Sequence, residues 1–254
     1  MTKGRILFEQ ERTDLAKVVK MAFQRKLTNV AGGNFSLKTT DSAGKEYIIM
    51  TPTMMSEAYF GELTPSQILV VEPHTRKIIA GEGKLTREIN MHEAAYDANE
   101  KIKCVFHSHA PQAMFWATAG LNLPNLTEAT QKVRQVTVLP FAPNCSEELA
   151  DIVSEKLLQL KKENEALPYQ FLFDSHGVVI MTPGEDGLEA LHKALSIVDT
   201  MEWNAEIAYK QTVFQALGLM DAYYSKGQAI GTVKDVLEGK ALWNDKIAIP
   251  VNGD

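Results

Sequence analysis

Short apolar runs alternate along this chain with stretches of helical periodicity, and the earliest runs are separated by turns rather than helices. Parallel neighbours need a crossover of about a dozen residues or more, so closely spaced strands of this kind pair as hairpins. The runs Phe35–Lys38 and Tyr47–Met50 flank the polar turn Asp41–Lys45, and Ile68–Glu72 and Ile78–Ala80 flank His74–Lys77. Further strands are expected at Lys103–His107, Val136–Leu139, Gln170–Asp174 and Val178–Met181. Helices are expected at 5–27, 87–99, 146–163 and 186–217, with one following Pro111 and with Thr86 as a cap for the second. Residues 218–254 are less regular, with room for one or two short helices. The fold class is therefore α/β: a single domain over 1–254 with a mixed, partly antiparallel central sheet flanked by helices.

Length and charge agree. At 254 residues the chain can bury one sizeable core. Its net charge is −6 and no dense block of Lys or Arg occurs, so neither nucleic acid nor an anionic membrane is expected as a partner. No apolar run approaches the roughly 20 residues that cross a bilayer, and the first residues carry no apolar leader. Two cysteines, Cys104 and Cys145, without CxxC spacing suit free thiols in a reducing compartment, so a cytoplasmic location is expected.

The chemistry concentrates in histidine. Of six histidines, two form His107-Ser-His109 at the end of an apolar strand. Residues i and i+2 of a strand share a face, so both imidazoles can reach one metal ion. His176 follows another apolar strand and precedes Gly177, which lets the backbone turn beside a crowded site. Three ligands leave a coordination position open for substrate. The same residues also fit strand-end histidines satisfied by hydrogen bonds. His74 reads as a solvated loop residue and His192 as a surface or interface residue. His92 lies one helical turn after Glu88, either as a satisfied structural histidine or as a group that orients a ligand.

Five short motifs occur in order over about residues 10–215. They are Gly33-Asn34-Phe35-Ser36; Thr51-Pro52-Thr53 followed by Leu63-Thr64-Pro65; Thr86-Arg87-Glu88 with His92; His107-Ser108-His109; and His176-Gly177 before a long helix. In these the chain resembles the class II aldolase/adducin-like family of fuculose-phosphate aldolase, rhamnulose-phosphate aldolase and ribulose-phosphate 4-epimerase. The resemblance implies one divalent metal ion per subunit on His107, His109 and His176, with Zn2+ first and Mn2+, Co2+ or Fe2+ as alternatives. It implies Glu88 as the acid/base, with a pKa raised toward neutrality by burial and offset by the cation. The family epimerases carry Asp at that position, so Glu88 favours carbon–carbon cleavage.

A phosphorylated sugar would be held by Gly33, Asn34, Thr53, Thr86 and Arg87. The expected reaction cleaves a ketose 1-phosphate to dihydroxyacetone phosphate and an aldehyde through a metal-stabilised enediolate. The resemblance also implies a homotetramer with active sites near subunit interfaces. Two positions depart from the aldolases: Met54 replaces a usual Gly, and Arg87 replaces a usual Ser. Arg87 would suit a carboxylate as well as a phosphate, which keeps a decarboxylase of an oxo or hydroxy acid among the readings, beside a 4-epimerase and a non-catalytic adducin-like scaffold. The fuculose-type enzyme uses a Tyr from a neighbouring subunit; residues 119–135 here contain none, Glu128 being their conspicuous polar residue, and Tyr223 or Tyr224 is the substitute the sequence offers.

Overall fold

A computed structural model describes residues 7–30, 32–55, 59–132 and 135–238. The elements run α1 (Glu9–Gln24), β1 (Asn34–Thr40), β2 (Glu46–Met50), β3 (Leu69–Val71), β4 (Ile78–Ala80), α2 (Ile89–Ala98), β5 (Cys104–Ser108) and α3 (Pro111–Thr118). They continue with β6 (Thr137–Leu139), α4 (Glu147–Lys162), β7 (Tyr169–Phe173), β8 (Gly177–Thr182), α5 (Gly187–Ala216), β9 (Tyr223–Ser225), β10 (Gln228–Gly231) and α6 (Val233–Leu237). Eight strands form one sheet in the order β4-β3-β2-β1-β5-β8-β7-β6. Every pair in it is antiparallel except β6 with β7, so the sheet is mixed, and its early strands pair as the hairpins expected from the sequence.

The strands are apolar on both faces because helices cover both. Leu37, Phe35, Phe106 and Ile180 pack with residues of α1, α3 and α5. Their neighbours Ile48, Val105, Phe171 and Val179 pack with α2 and α4 on the opposite face. Phe35 and Phe106, paired across β1 and β5, stack with ring centroids 3.7 Å apart. The polar residues Asn34, Ser36 and His107 lie among the second set, where α2 crosses the centre of the sheet; all three are buried.

The local signals act as expected at α3, which has Pro111 in its first turn, and at α4, where the Ser146 side chain accepts from the Leu149 N–H at 3.1 Å. They fail at α2. Its first residue is Ile89 and its N-cap position is Glu88, not Thr86, although the Thr86 hydroxyl does accept from the Glu88 N–H at 3.3 Å. The Glu88 side chain makes no cap; its partners lie across the sheet. Residues 239–254 of the C-terminal stretch lie outside the described residues, and 218–238 hold the β9–β10 hairpin as well as the short α6.

A second buried carboxylate caps α3 from a distance. Glu202 of α5 accepts from the Gln112 N–H at 2.9 Å and the Ala113 N–H at 2.7 Å. Burial lifts its pKa to about 7, while those two amides pull the other way. A folded pKa raised above the ordinary carboxyl value means that the folded chain binds this proton more tightly than the unfolded chain. The group's contribution is complete below the unfolded pKa and is lost as pH rises through about 7, a loss on the order of 3 kcal/mol. The melting-temperature difference between the native protein and Glu202→Gln is expected to shrink between about pH 5 and about pH 8. A difference independent of pH would show that Glu202 does not titrate in this window.

Candidate metal centre and anion cleft

Strand register delivers the histidines. His107 lies near the end of β5 opposite Val179 of β8, and His109 follows the strand. His176 occupies the turn between β7 and β8, just before Gly177 opens β8. The three rings form a triangle with centroid separations of 5.2, 4.8 and 5.4 Å. One ring nitrogen of each lies within 4.8 Å of the others, so the three could hold a metal ion.

The donor chemistry fits such an ion. Nδ1–H of His107 donates to the Val178 carbonyl at 3.0 Å, which leaves Nε2 bare. That Nε2 and the Nε2 of His109 are buried without a hydrogen-bond partner among the described residues. Buried orphan ring nitrogens are costly and rare, and a cation would satisfy both. Burial depresses the pKa of His107, and it depresses those of His109 and His176 to about 4, each lowered further by a neighbouring imidazole. Neutral rings keep their lone pairs at physiological pH.

Gly177 serves the site by size, not by freedom to turn. Its φ is unexceptional, and the left-handed residue of that turn is Ser175 (φ 57). A Cβ on Gly177 would stand 2.8 Å from Cε1 of His107 and 3.0 Å from Cδ2 of His109. Gly32 packs under His109 so closely that a Cβ would lie 2.2 Å from Cε1.

Glu88 reaches this triangle from the start of α2. Oε2 stands 3.4 Å from Nε2 of His107, and Oε1 stands 3.3 Å from Nε2 of His176. Oε2 accepts from Nδ2 of Asn34 at 2.6 Å, whereas Oε1 is buried and has no hydrogen-bond partner among the described residues. Burial raises this carboxyl's pKa, but His107, His176, Asn34 and His92 outweigh it and bring it down to about 2. The expectation of a raised value is therefore reversed, because polar groups from three elements face the carboxylate. Asn34 is paired in register with His107 on the adjoining strand, so the same ladder positions both.

A cleft of about 370 Å³ opens over the triangle. Gly33, Asn34, Thr53, Thr86, Arg87 and Glu88 line it together with His109 and His176; His107 is fully buried behind them. The Thr53 N–H donates to the Lys84 carbonyl at 2.8 Å, which ties the two loops of the rim together. Lys84, Asn144 and Cys145 also line the cleft and were missed in the sequence. Only Lys84 carried a signal, a cation two residues before Thr86. Among the described residues neither Lys84 nor Arg87 makes an ion pair, so both charges are available to an anion. Met54 lines the rim in the left-handed region (φ 58), a conformation that glycine takes without strain.

The remaining candidates fall elsewhere. Tyr223 is buried with its hydroxyl 2.5 Å from that of Thr212, and neither it nor Tyr224 lines the cleft. Glu128 and His192 are exposed. His74 is exposed and lies 3.7 Å from Asp97. Cys104 is buried, and both cysteines are free.

Residues 13–208 match the family described as class II aldolase and adducin N-terminal domain. An L-fuculose phosphate aldolase of Methanococcus maripaludis is 28% identical over 193 residues, covering 76% of this chain and 94% of the relative. A 3-oxo-tetronate 4-phosphate decarboxylase of Escherichia coli is 23% identical over 210 residues, covering 78% of this chain and 85% of the relative. A solved L-fuculose 1-phosphate aldolase superposes with a TM-score of 0.66 at 22% identity, covering 82% of this chain and 89% of that one. With the family's model spanning most of its length and the fold agreeing, this chain belongs to the class II aldolase and adducin N-terminal domain family.

Proposed function

We propose that the chain is a metal-dependent class II aldolase that cleaves a ketose 1-phosphate to dihydroxyacetone phosphate and an aldehyde. The observation that carries this reading is the convergence of three neutral imidazoles beside a buried carboxylate, one oxygen of which makes no hydrogen bond among the described residues. His107, His109 and His176 would hold one divalent ion, Zn2+ first, with Mn2+, Co2+ or Fe2+ as alternatives that imidazole ligands also accept. When bound, the metal supplies Lewis-acid stabilisation of the charge that carbon–carbon cleavage leaves on the ketone fragment. Glu88 Oε1 would carry the proton to that fragment's carbon, and remove it in the synthetic direction. Gly33, Asn34, Thr53, Thr86 and Arg87 would hold the phosphate, with Lys84 adding a second cation at the rim.

A decarboxylase acting on an oxo acid phosphate is the second reading. Two cations in one cleft, neither in an ion pair among the described residues, suit a substrate with two anionic groups, and the relative from Escherichia coli carries the name of such an enzyme. The two are separated by incubating the metal-loaded protein with ketose 1-phosphates and with 3-oxo acid phosphates, and measuring aldehyde and carbon dioxide. Aldehyde release is expected; carbon dioxide release alone would replace the aldolase reading with the second. Absence of both activities from a protein that binds no zinc, manganese or cobalt would leave a scaffold of the adducin kind.

The assembly we propose is a homotetramer with active sites near its interfaces. Exposed apolar side chains on α3 and α5, Phe115, Trp203, Tyr209 and Phe214, support it. Light scattering that returns the mass of one chain would remove it. The location we propose is the cytoplasm; among the described residues no helix is long and apolar enough to cross a membrane, and both thiols are free.

A further inference from the structure

We propose that Tyr96, Ser36 and His92 are positioning residues, joined by Asn34 into a buried hydrogen-bond line of fixed direction that holds one oxygen of Glu88 and turns the other toward the imidazole triangle. The inference rests on the reading of Glu88 as the group that moves the proton. The line has four links. Tyr96 Oη and Ser36 Oγ are 2.7 Å apart, and Ser36 Oγ and His92 Nδ1 are 2.7 Å apart. His92 Nε2 and Asn34 Oδ1 are 2.5 Å apart, and Asn34 Nδ2 lies 2.6 Å from Glu88 Oε2. Every member is buried, His92 and Ser36 completely.

The arrangement follows from two periodicities. Glu88, His92 and Tyr96 recur every four residues at the start and along one face of α2, while Asn34 and Ser36 recur every two on one face of β1. Laying this helix stripe on this strand brings the five side chains into alternation.

Direction follows from donor and acceptor chemistry. An ionised carboxylate only accepts, so Asn34 must turn its NH2 toward Glu88 and its carbonyl toward His92. That carbonyl only accepts, so His92 carries its proton on Nε2. Complete burial keeps the ring neutral, with a pKa near 3, so Nδ1 is bare and accepts from the Ser36 hydroxyl. Ser36 then accepts from Tyr96. Only one orientation of each group satisfies its neighbours, and a flipped Asn34 would set its carbonyl against the carboxylate. His92 thus fixes the Asn34 amide, and the amide fixes Glu88.

The experiment compares His92→Leu with His92→Gln. Leucine removes the donor, whereas the glutamine amide nitrogen reaches the position of Nε2. The expected result is a fall in kcat on the order of 10²-fold for His92→Leu, with KM and metal content unchanged, and recovery of most of that loss in His92→Gln. Unchanged kcat in the leucine variant, or equal loss in both, would overturn the proposal. A second measurement does not depend on turnover. Nitrogen-15 NMR of the metal-free native protein is expected to show His92 as the Nε2–H tautomer with a slowly exchanging proton, and the Nδ1–H tautomer would also overturn it. Near-normal turnover by Glu88→Gln would instead defeat the role given to Glu88, and the tautomer would then decide the line by itself.

Discussion

Glu88→Gln is expected to keep its metal and lose turnover by roughly 10²- to 10⁴-fold, the range that a positioned acid/base supplies. The change preserves the shape of the side chain and removes its ability to exchange a proton. Asn34 holds Oε2 through its amide hydrogens, and the glutamine carbonyl can accept that bond in place of the carboxylate. The other position, where Oε1 makes no hydrogen bond among the described residues, becomes an NH2 that cannot accept a proton from substrate. The three imidazoles are untouched, so metal content measured by elemental analysis should match that of the native protein. Both kcat and kcat/KM should fall together, because the lost interaction belongs to the transition state. Turnover within a few-fold of native with full metal occupancy would remove Glu88 from the chemistry.

Gly177→Ala is expected to act on the other half of the site. A methyl there meets the His107 ring at 2.8 Å, the Ser108 carbonyl at 2.8 Å and the His109 ring at 3.0 Å. The carbonyl belongs to β5, whose ladder with β8 runs through Ser108 and Val178, so it cannot retreat without breaking the pairing. The rings must move instead, and a small displacement of two of the three candidate ligands would spoil the convergence. Metal affinity should fall by about 10- to 100-fold, as when groups that orient metal ligands are lost. Overpacking should cost roughly 1–3 kcal/mol of stability. Titration with zinc in competition with a chelator reads the first, and thermal melting of the metal-free protein reads the second. Native affinity in the variant would show that the ligand rings tolerate the methyl and that the glycine is dispensable.

Much of the site was legible because its signals are local. A strand ending in His107-Ser108-His109, another ending just before His176, and the order of five short motifs point to the triangle and to the loops around it. What escaped depends on distant chain meeting. The pKa of Glu88 is governed by groups from β1, β5 and the β7–β8 turn, so burial read from one helix gives the wrong direction. Asn144 and Cys145 reach the cleft from a loop with no periodicity. The β9–β10 hairpin carried one usable sign, Lys226-Gly227, whose positive φ values of 50 and 73 suit a tight two-residue turn. Without alternation in its short flanking strands, that sign was too weak to outweigh the irregular surroundings.

The pairing of Asn34 with His107 across β1 and β5 reaches beyond chemistry. Side chains on a strand change face with every residue, so a chain that docked these two strands one residue out of step would send amide and imidazole to opposite sides of the sheet. Such a molecule could be compact and helical and even keep the imidazole triangle, which rests on the β5–β8 ladder, and still set no amide against Glu88. Uptake of an ion by the three histidines would therefore not by itself tell correctly threaded molecules from near-misses; the proton environment of His92, which Asn34 sets, would.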